Sequence, residues 1–438
     1  MRVTVVGLGY VGLVTAACLS RLGQDVIGLE SDERKVRTVL AGEVPYFEPG
    51  LESELGAQRA AGRLNVTTSP TEAFADPDVV LICVGTPSDA AGRADLRYVL
   101  DVADAIASEL ASRAVIALRS TVPVGTTRRV EKRLNQGLER RGVLGQVAVI
   151  ANPEFLRTGR AVDDFLRPTR IVLGTTELAT DEDVACLRSL YQPLDAPLLV
   201  MGAESAELVK NAANAFLATK VSFVNELANL CDATGASVDS VIQGLALDPR
   251  IGSDFMRPGL GYGGSCLPKD VRSLIAMGSD HGRPMDLAKA VDDVNRSQPV
   301  RYARLLEREL GDLTGKRIAL LGLAFKPDTD DIRDSPALSL ARALRDRGAE
   351  VVACDPEAGE RVRAAEPWLR IEADPVSAAK DAVAVVLATE WPAYVTLDPA
   401  ELAATMAGTT VLDGRNALES TRVAAAGLSY RSLGRAGA

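Results

Sequence analysis

The sequence predicts an α/β protein in which two doubly wound, Rossmann-like domains are joined by a helical middle domain with a long central helix. Short β-branched runs alternate with helical patterns in the first and last thirds of the chain. Between them, the stretch from Glu204 to Cys231 contains neither Gly nor Pro and favours one long helix. The expected domains are residues 1–200, 201–300 and 301–438, a division that suits a chain of 438 residues.

The composition argues against several classes of function. Hydrophobic residues make up 47% of the chain and aromatic residues only 4%, so the cores are expected to be aliphatic, as in α/β layers. The net charge of −10 argues against broad nucleic-acid binding, which requires a basic surface. The sequence shows no signal peptide and no apolar run of membrane length, and its six cysteines lack metal-ligand spacing. We therefore expect a cytoplasmic protein without a metal site.

The first element is a dinucleotide-binding pattern. The strand 2-RVTVV-6 leads into 7-GLGYVG-12 and then into an apolar helical segment. In this context Gly7 permits the tight turn, and Gly9 lets backbone amides approach a pyrophosphate. Gly12 lets the helix pack closely on the strand. The pattern predicts a dinucleotide cofactor at the start of the helix.

The end of the second strand indicates which dinucleotide is bound. The strand expected over residues 25–30 ends in Glu30. Its carboxylate can accept hydrogen bonds from a ribose and would repel a 2′-phosphate, so NAD is favoured over NADP. Arg34 and Lys35 follow closely and weaken this preference.

Three further strands of the first third are followed by polar side chains. The strands expected within residues 79–87, 114–127 and 147–156 place four such residues after their carboxyl ends: Thr86, Ser120, Thr121 and Glu154. Ligands bind at this edge in open parallel sheets. Taken singly, each residue could equally well form a turn or cap a helix.

The middle third contributes a lysine, an asparagine and a cysteine. Lys210 and Asn214 are four residues apart in the predicted long helix and share a face. Lys210 stands in an apolar stretch, where a lysine requires a partner or a function. In 257-RPGLGYGGSCLPKD-270 a glycine-rich loop, whose amides could reach a ligand, precedes Cys266. This segment alone leaves open whether Cys266 is an inert packing residue or a nucleophile.

The last third predicts a second doubly wound unit. Its strands are expected near residues 314–322, 349–356, 382–390 and 409–416. Its first turn, 322-GLAFK-326, offers Lys326 rather than bare backbone, which suits a phosphate better than an NAD in the usual pose. Arg333 and Arg415 stand near strand ends and could be ligand contacts or solvated surface arginines.

A series of sequence blocks, in order along nearly the whole chain, resembles the nucleotide-sugar dehydrogenases of the UDP-glucose/GDP-mannose dehydrogenase family. The blocks are GLGYVG, YFEPGL, STVPVGTT, NPEFLR, ELVKNAANAFLATKVSFVNE, RIG, GYGGSCLPKD, FKPDTDDIRDSP and DGRN. The resemblance implies an N-terminal NAD domain, a middle domain with a dimer helix, a C-terminal UDP-sugar domain, and a homodimer. It also implies the NAD-dependent four-electron oxidation of UDP-glucose to UDP-glucuronate through a cysteine thiohemiacetal and thioester.

The resemblance further implies roles for individual residues. Cys266 would be the nucleophile, Lys210 with Asn214 would stabilise oxyanions, Asp270 and Thr121 would hold the water, and Glu154 would assist proton transfer. The implied cofactor contacts are Gly7, Gly9, Tyr10, Val11, Gly12, Glu30, Lys35, Thr86, Ser120, Thr121 and Arg333. The implied substrate contacts are Glu154, Phe155, Leu156, Lys210, Asn214, Gly259, Tyr262, Gly263, Phe325, Lys326 and Arg415, with Arg250 supplied by the other subunit.

One position departs from the family pattern. The family reads N-P-E-F-L-R-E-G, whereas this chain reads 152-NPEFLRTG-159 and places Thr158 where the second glutamate stands. A threonine cannot act as a base at neutral pH. The alternative hypotheses are the same chemistry on GDP-mannose or a UDP-N-acetylhexosamine, and a non-catalytic sensor of nucleotide sugars.

Overall fold

The computed structural model describes residues 1–89, 91–142 and 145–435. The chain divides into two compact units: Met1–Ala213 with Ala276–Gly282, and Asn214–Ile275 with the chain from Arg283 onwards. The predicted division into three domains therefore stays a prediction. No helix within the described residues is long and apolar enough to cross a membrane.

The first unit is built from alternating strands and helices. In chain order they are β1 (Arg2–Val6), α1 (Tyr10–Arg21), β2 (Asp25–Leu29), α2 (Glu33–Leu40), α3 (Leu51–Ala60), β3 (Leu64–Thr67), α4 (Pro70–Ala73), β4 (Val79–Ile82), α5 (Arg97–Glu109), β5 (Val115–Leu118), α6 (Thr126–Arg141), β6 (Val149–Ala151), α7 (Ala161–Leu166), β7 (Ile171–Thr175), α8 (Asp181–Tyr191) and β8 (Leu198–Gly202).

These strands form one sheet in the order β3-β2-β1-β4-β5-β6-β7-β8. The six strands from β3 to β6 are parallel in the doubly wound order, β7 pairs with β6 antiparallel, and β8 pairs with β7 parallel. Alternate residues of β1 supply both faces: Val3 and Val5 join one apolar layer, and Val6 joins the other. Burial on both faces explains why these strands read as continuous apolar runs in the sequence.

The second unit follows a long helix. In chain order the remaining elements are α9 (Ala203–Thr234), α10 (Val238–Ala246), α11 (Leu267–Asp280), α12 (Asp286–Leu310), β9 (Arg317–Leu321), α13 (Pro336–Arg345), β10 (Glu350–Cys354), α14 (Gly359–Ala365), β11 (Arg370–Ile371), α15 (Pro375–Ala379), β12 (Ala384–Leu387), α16 (Pro392–Val395), α17 (Pro399–Ala403), β13 (Thr410–Asp413), α18 (Ser420–Ala425) and β14 (Ser429–Ser432). The residues of α9 and of α11 are divided between the two units.

The sheet of the second unit has the order β11-β10-β9-β12-β13-β14, and all its pairs are parallel. This is the doubly wound order again, so the predicted fold class of two Rossmann-like units and a long helix is confirmed. Asp355, which follows β10, accepts hydrogen bonds from the amides of Leu323 (2.7 Å) and Ala324 (3.0 Å) and from the indole of Trp391 (3.2 Å). The first turn of this unit therefore has two of its amides bonded within the chain.

Candidate active site

The glycine turn of the first unit has the geometry of a pyrophosphate cradle. Gly7 has a φ of +87°, which L side chains rarely adopt. A Cβ on Gly12 would come within 1.8 Å of the Gly7 carbonyl oxygen, so α1 packs on the turn too closely for any side chain. A Cβ on Gly9 would meet nothing within 4 Å. The space beside Gly9, at the start of α1, therefore fits a ligand phosphate.

Glu30 lies at the end of β2, and the backbone around it uses much of its acceptor capacity. Its carboxylate accepts from the amides of Leu8 (3.1 Å), Ser31 (3.0 Å) and Asp32 (3.1 Å), and Lys35 Nζ lies 3.5 Å from Oε2. A carboxylate offers about four lone-pair positions. A ribose hydroxyl at this point would share the carboxylate with the chain.

Tyr10 and Val11 begin α1 and fix the turn to its surroundings. Val11 packs against an apolar core layer. The Tyr10 phenol donates to Glu48, whose carboxylate also accepts from the amides of Gly159 (2.6 Å) and Ala161 (2.7 Å). Burial and the Glu48 carboxylate raise the pKa of Tyr10, so its proton stays in place. The glycine turn is thereby tied, through Glu48, to the segment that carries Thr158.

The polar residues after β4 and β5 meet at the carboxyl edge of the sheet. The Thr86 hydroxyl donates to the Thr121 carbonyl at 2.7 Å, and the Ser120 hydroxyl donates to the Val84 carbonyl at 2.6 Å. Both hydroxyl donors are used by backbone, and each oxygen keeps a lone pair to accept from a ligand. The structure thus brings Thr86 together with Ser120 and Thr121, which follow it by more than 30 positions in the sequence.

Lys210 and Glu154 form a buried ion pair. Their Nζ and Oε1 atoms are 3.0 Å apart, and the two side chains are 4% and 5% exposed. Glu154 Oε2 accepts from the Leu156 amide at 2.5 Å. Burial alone would raise the pKa of Glu154, but the Lys210 ammonium and the Leu156 amide outweigh it, and the net shift is downward. Glu154 is therefore a carboxylate at neutral pH.

Phe155 forms part of the surroundings of this ion pair. Lys210 Nζ lies 5.6 Å from the centroid of its ring, and the Arg170 guanidinium lies 3.8 Å from the same centroid. Both distances fall within the range of cation–π attraction. The aromatic ring therefore helps to fix the direction of the lysine.

Two further residues of α9 hold the loop after β5, and the sequence analysis missed both. Glu207 accepts from the amides of Gly125 and Thr127, each at 2.6 Å, at the N-terminus of α6. Asn211 donates to the Val122 carbonyl at 3.2 Å. The available signal was spacing, because positions 207, 210, 211 and 214 place a polar stripe along one face of a mostly apolar helix.

Arg119 is a third site residue that the sequence analysis missed. Its side chain is buried and donates to Thr15 Oγ1 (3.1 Å), Asn152 Oδ1 (3.2 Å) and the Tyr191 hydroxyl (3.3 Å). Its positive charge also contributes to the lowered pKa of Glu154. A lone arginine inside the apolar run 114-AVIALRS-120 was the visible signal.

In the second unit, Cys266 immediately precedes α11. Its carbonyl accepts from the Asp270 amide at 2.9 Å, and its half-buried Sγ lies 3.6 Å from the Ser265 hydroxyl. The positive end of a helix dipole favours a thiolate over a thiol. The Asp331 carboxylate raises the pKa of Arg333, with a smaller contribution from the Cys266 sulfur. The Arg333 guanidinium is therefore within electrostatic range of the sulfur while it pairs with Asp331 at 2.7 Å.

Asp270 lies one turn into α11 and is bonded to Asn214. The Asn214 amide donates to Oδ2 at 2.6 Å, and Lys269 Nζ lies 2.9 Å from Oδ1. The Asp270 side chain is only 1% exposed. Asn214 and Lys269 therefore compensate a buried carboxylate, and they fix its direction.

The glycines before Cys266 have a packing reason that the sequence analysis did not anticipate. A Cβ on Gly259 would approach the Gly414 carbonyl to 2.7 Å, and one on Gly263 would approach the Asp334 carbonyl to 2.4 Å. A Cβ on Gly264 would lie 2.7 Å from the Phe325 ring. These glycines are required by contacts with the chain itself, and contact with a ligand remains a prediction for Gly259 and Gly263.

Arg415 is not a solvated surface arginine. Its side chain is 11% exposed and donates to the carbonyls of Ala388 (2.6 Å), Gly261 (3.2 Å) and Phe325 (3.0 Å). It thereby fastens the glycine loop and the Phe325–Lys326 turn to the second sheet. A contact to a nucleotide would be added to this positioning role.

The other predicted contacts differ in their surroundings. Tyr262 is buried, and its hydroxyl has no hydrogen-bond partner among the described residues. Lys326 Nζ lies 6.0 Å from the centroid of the Phe325 ring. Arg250 is 87% exposed and pairs with Asp248 at 2.6 Å, so its side chain lies on the surface of its own chain.

The fold and the site define a class of protein. A doubly wound sheet, a glycine turn with open space at Gly9 and a carboxylate at the end of β2 are the features of NAD-dependent dehydrogenases. The sequence profiles of the UDP-glucose/GDP-mannose dehydrogenase family match residues 1–195 (NAD binding domain), 204–297 (central domain) and 319–420 (UDP binding domain). The chain belongs to this family, and NAD is its cofactor.

Curated relatives match the chain over nearly its whole length. It is 44% identical to a UDP-glucose 6-dehydrogenase of Pseudomonas aeruginosa, over 99% of this chain and 98% of that protein. It is 42% identical to a UDP-glucose 6-dehydrogenase of Rhizobium meliloti, over 99% of this chain and 100% of that protein.

Two solved structures are similar across the same extent. A UDP-glucose dehydrogenase from Pyrobaculum islandicum is 39% identical with a TM-score of 0.89, covering 96% of this chain and 95% of that one. A UDP-D-ManNAc dehydrogenase from Pyrococcus horikoshii is 27% identical with a TM-score of 0.87, covering 100% of both chains.

Proposed function

We propose that this NAD-dependent dehydrogenase oxidises UDP-glucose to UDP-glucuronate through a covalent bond to Cys266. The observation that carries the proposal is the half-buried Cys266 sulfur immediately before α11, within electrostatic range of the Arg333 guanidinium. A dehydrogenase that stopped at the aldehyde would need no thiol, whereas a four-electron oxidation must retain the aldehyde. The relatives named UDP-glucose 6-dehydrogenase support this choice of sugar.

The proposed reaction consists of two oxidations and a hydrolysis. The C6 alcohol loses a proton and a hydride to give the aldehyde, and the Cys266 thiolate adds to its carbonyl carbon. After protonation this adduct is a thiohemiacetal, and loss of a second proton and hydride gives a thioester. Water then breaks the C–S bond and leaves the carboxylate and the free thiol. NAD supplies the chemistry of accepting one hydride in each oxidation.

The side chains have separate roles in this scheme. Lys210, held in direction by Glu154 and Phe155, stabilises the oxyanions of the addition and hydrolysis steps, together with Asn214. Asp270 and Thr121 hold the hydrolytic water. Glu154, with its lowered pKa, is ionised at rest and accepts a proton only when the Lys210 charge is engaged elsewhere.

Binding of the nucleotide sugar is assigned mainly to the second unit. We infer that Gly259, Tyr262, Gly263, Phe325, Lys326 and Arg415 hold the UDP part, with Phe155 and Leu156 against the sugar. Residues 1–200 bind NAD, residues 201–300 carry the dimer helix, and residues 301–438 bind UDP.

A homodimer is the proposed assembly, with α9 as its core. Three apolar side chains spaced seven residues apart on α9 are exposed: Phe216 (66%), Phe223 (50%) and Leu230 (58%). Residues at this spacing share one face of a helix, as in a coiled-coil seam. A second copy of the chain covers this face, and its Arg250 completes the substrate site of its partner. The dimer is expected in the cytoplasm.

The test is a panel assay with UDP-glucose, GDP-mannose and UDP-N-acetylhexosamines that counts NADH formed per sugar consumed. We expect turnover with UDP-glucose and two NADH per sugar. One NADH per sugar with accumulation of free aldehyde would refute the covalent scheme. Turnover confined to a UDP-N-acetylhexosamine would favour the second candidate, the same chemistry on that class of sugar, which the likeness to the UDP-D-ManNAc dehydrogenase structure keeps open.

A further inference from the structure

We propose that the second unit contains an additional binding site for a phosphorylated sugar or nucleotide, between α9, α12 and the C-terminal strand β14. A cavity of about 520 Å³ lies there, and its charged lining consists of four arginines and two carboxylates: Arg301, Arg308, Arg431, Arg435, Asp232 and Glu309. No residue assigned to catalysis, cofactor or substrate lines it. The excess of guanidinium groups is notable in a chain whose net charge is −10.

Two of the arginines are available to an incoming anion. Arg301 and Arg308 are exposed, and neither side chain forms a hydrogen bond or an ion pair with any residue within 1–89, 91–142 or 145–435. They are seven residues apart on α12, so both project from the same face of the helix. Their Cα atoms are about 10 Å apart along the helix, and their long side chains can converge on one anion between them.

The other two arginines are held in fixed directions. Arg431 Nε lies 3.0 Å from a Glu309 carboxylate oxygen. Arg435 pairs with Asp239 at 2.6 Å, and it also donates to the Tyr430 hydroxyl at 2.6 Å and to the Asn416 carbonyl at 3.0 Å. A guanidinium that is already oriented loses less entropy when it binds phosphate, so this half of the site is preformed.

The size of the cavity indicates how large the ligand is. Its volume of about 520 Å³ lies within the range of about 300–1,000 Å³ that is usual for small-ligand sites. The arginines favour a phosphate group, and the remaining volume has room for the sugar or nucleoside attached to it.

The experiment is calorimetric titration of the full-length protein with ADP and with glucose 1-phosphate. Saturating NADH and UDP-glucuronate are present, so that the catalytic sites are filled. We expect one additional site per chain for at least one probe. In the double variant Arg301→Gln/Arg308→Gln the affinity should fall at least about tenfold, because charge-assisted hydrogen bonds are lost. Which probe binds distinguishes a nucleotide from a sugar phosphate.

Arg304→Gln is the matched control. Arg304 is exposed on the same helix between the two test positions and does not line the cavity. The affinity of Arg304→Gln for the probe should stay within about twofold of the wild type, because the charge that is removed lies outside the cavity and is screened by solvent. The proposal is overturned if neither probe binds, if the double variant binds as tightly as the wild type, or if Arg304→Gln weakens binding equally.

Discussion

At the scale of single residues, the two central groups of the proposed site differ in their surroundings. Lys210 is buried with a carboxylate at 3.0 Å, whereas Cys266 is half-buried beside a helix N-terminus and a cation. The lysine charge is therefore fixed by an ion pair. The thiolate is favoured by its electrostatic surroundings while the sulfur remains accessible to a substrate.

Cys266→Ser should abolish turnover. A serine hydroxyl is a much weaker nucleophile than a thiolate, and we expect kcat to fall at least about 10³-fold. Cys186→Ser is the control, because Cys186 is also half-buried but lies in α8 of the first unit, outside the proposed site. Steady-state NADH formation and a circular dichroism spectrum measure the two variants. Sustained wild-type turnover by Cys266→Ser would exclude the covalent scheme.

Glu154→Gln should change how stability depends on pH. The pKa of Glu154 is lowered in the folded state, so its contribution is present above the unfolded pKa of about 4.3 and is lost as the pH falls through the folded pKa. Breaking a buried pair costs roughly 3–5 kcal/mol at neutral pH. The difference in the free energy of unfolding between Glu154→Gln and the wild type should therefore decrease below about pH 4.

Urea unfolding of wild type and variant across the acid range measures this difference. The exposed Glu226 on α9 supplies the control, and Glu226→Gln should stay within about 0.5 kcal/mol of the wild type. A deficit for Glu154→Gln that does not change with pH would contradict the ion-pair account.

The sequence predicted the residues of this site better than it predicted their partners. Thr86, Ser120 and Thr121 were identifiable because parallel strands end at a common edge. Glu207 and Arg119 were missed because the groups they bond lie some 30 to 100 positions away in sequence, which spacing along one helix or strand cannot reveal.

At the scale of elements, the structure differs from the sequence prediction mainly in where helices and strands begin and end. The helix begins at Tyr10, inside the glycine motif, and not at the first apolar residue after it. Predicted strands were generally too long: the run proposed for residues 147–156 forms only the three residues of β6. Polar residues at strand ends read as a continuation of the strand until the turn geometry is known.

Gly12→Ala should lower the stability of the fold, whereas Gly9→Ala should weaken cofactor binding. A Cβ at Gly12 meets the Gly7 carbonyl at 1.8 Å, so this variant should lose about 3 kcal/mol or more of stability. A Cβ at Gly9 meets nothing within 4 Å and has a permitted φ of −70°, so the fold should be unchanged. Gly9→Ala should still lower the affinity for NADH at least about tenfold, because the added methyl group occupies the space of the cofactor phosphate.

Thermal unfolding and NADH fluorescence titration distinguish the two variants. Each glycine serves as the control for the other, since they are in the same turn and receive the same methyl group. An unaltered NADH affinity in Gly9→Ala would contradict the binding of the pyrophosphate at this turn.

At the scale of the whole molecule, the exposed apolar face of α9 is the proposed dimer surface. Phe223→Asp places a charge at the centre of that face, and dimers should dissociate at micromolar concentrations, because an unpaired charge cannot be buried without a large penalty. Leu40→Asp on α2 is the control, since Leu40 is also exposed, at 42%. Sedimentation velocity measures both. A dimeric Phe223→Asp variant would move the interface elsewhere.

The second sheet has the same strand order as the six parallel strands from β3 to β6 of the first sheet, but the first turns differ in what they offer a dinucleotide. Asp355 already occupies the Leu323 and Ala324 amides, whereas Gly9 opens onto empty space. The molecule is thus a duplicated architecture with unequal copies, and its binding stoichiometry should be one dinucleotide per polypeptide. In the proposed scheme both oxidations use that single dinucleotide site, so NADH must leave and a second NAD⁺ must bind between them. The thiohemiacetal bond to Cys266 would hold the half-oxidised sugar on the enzyme during this exchange.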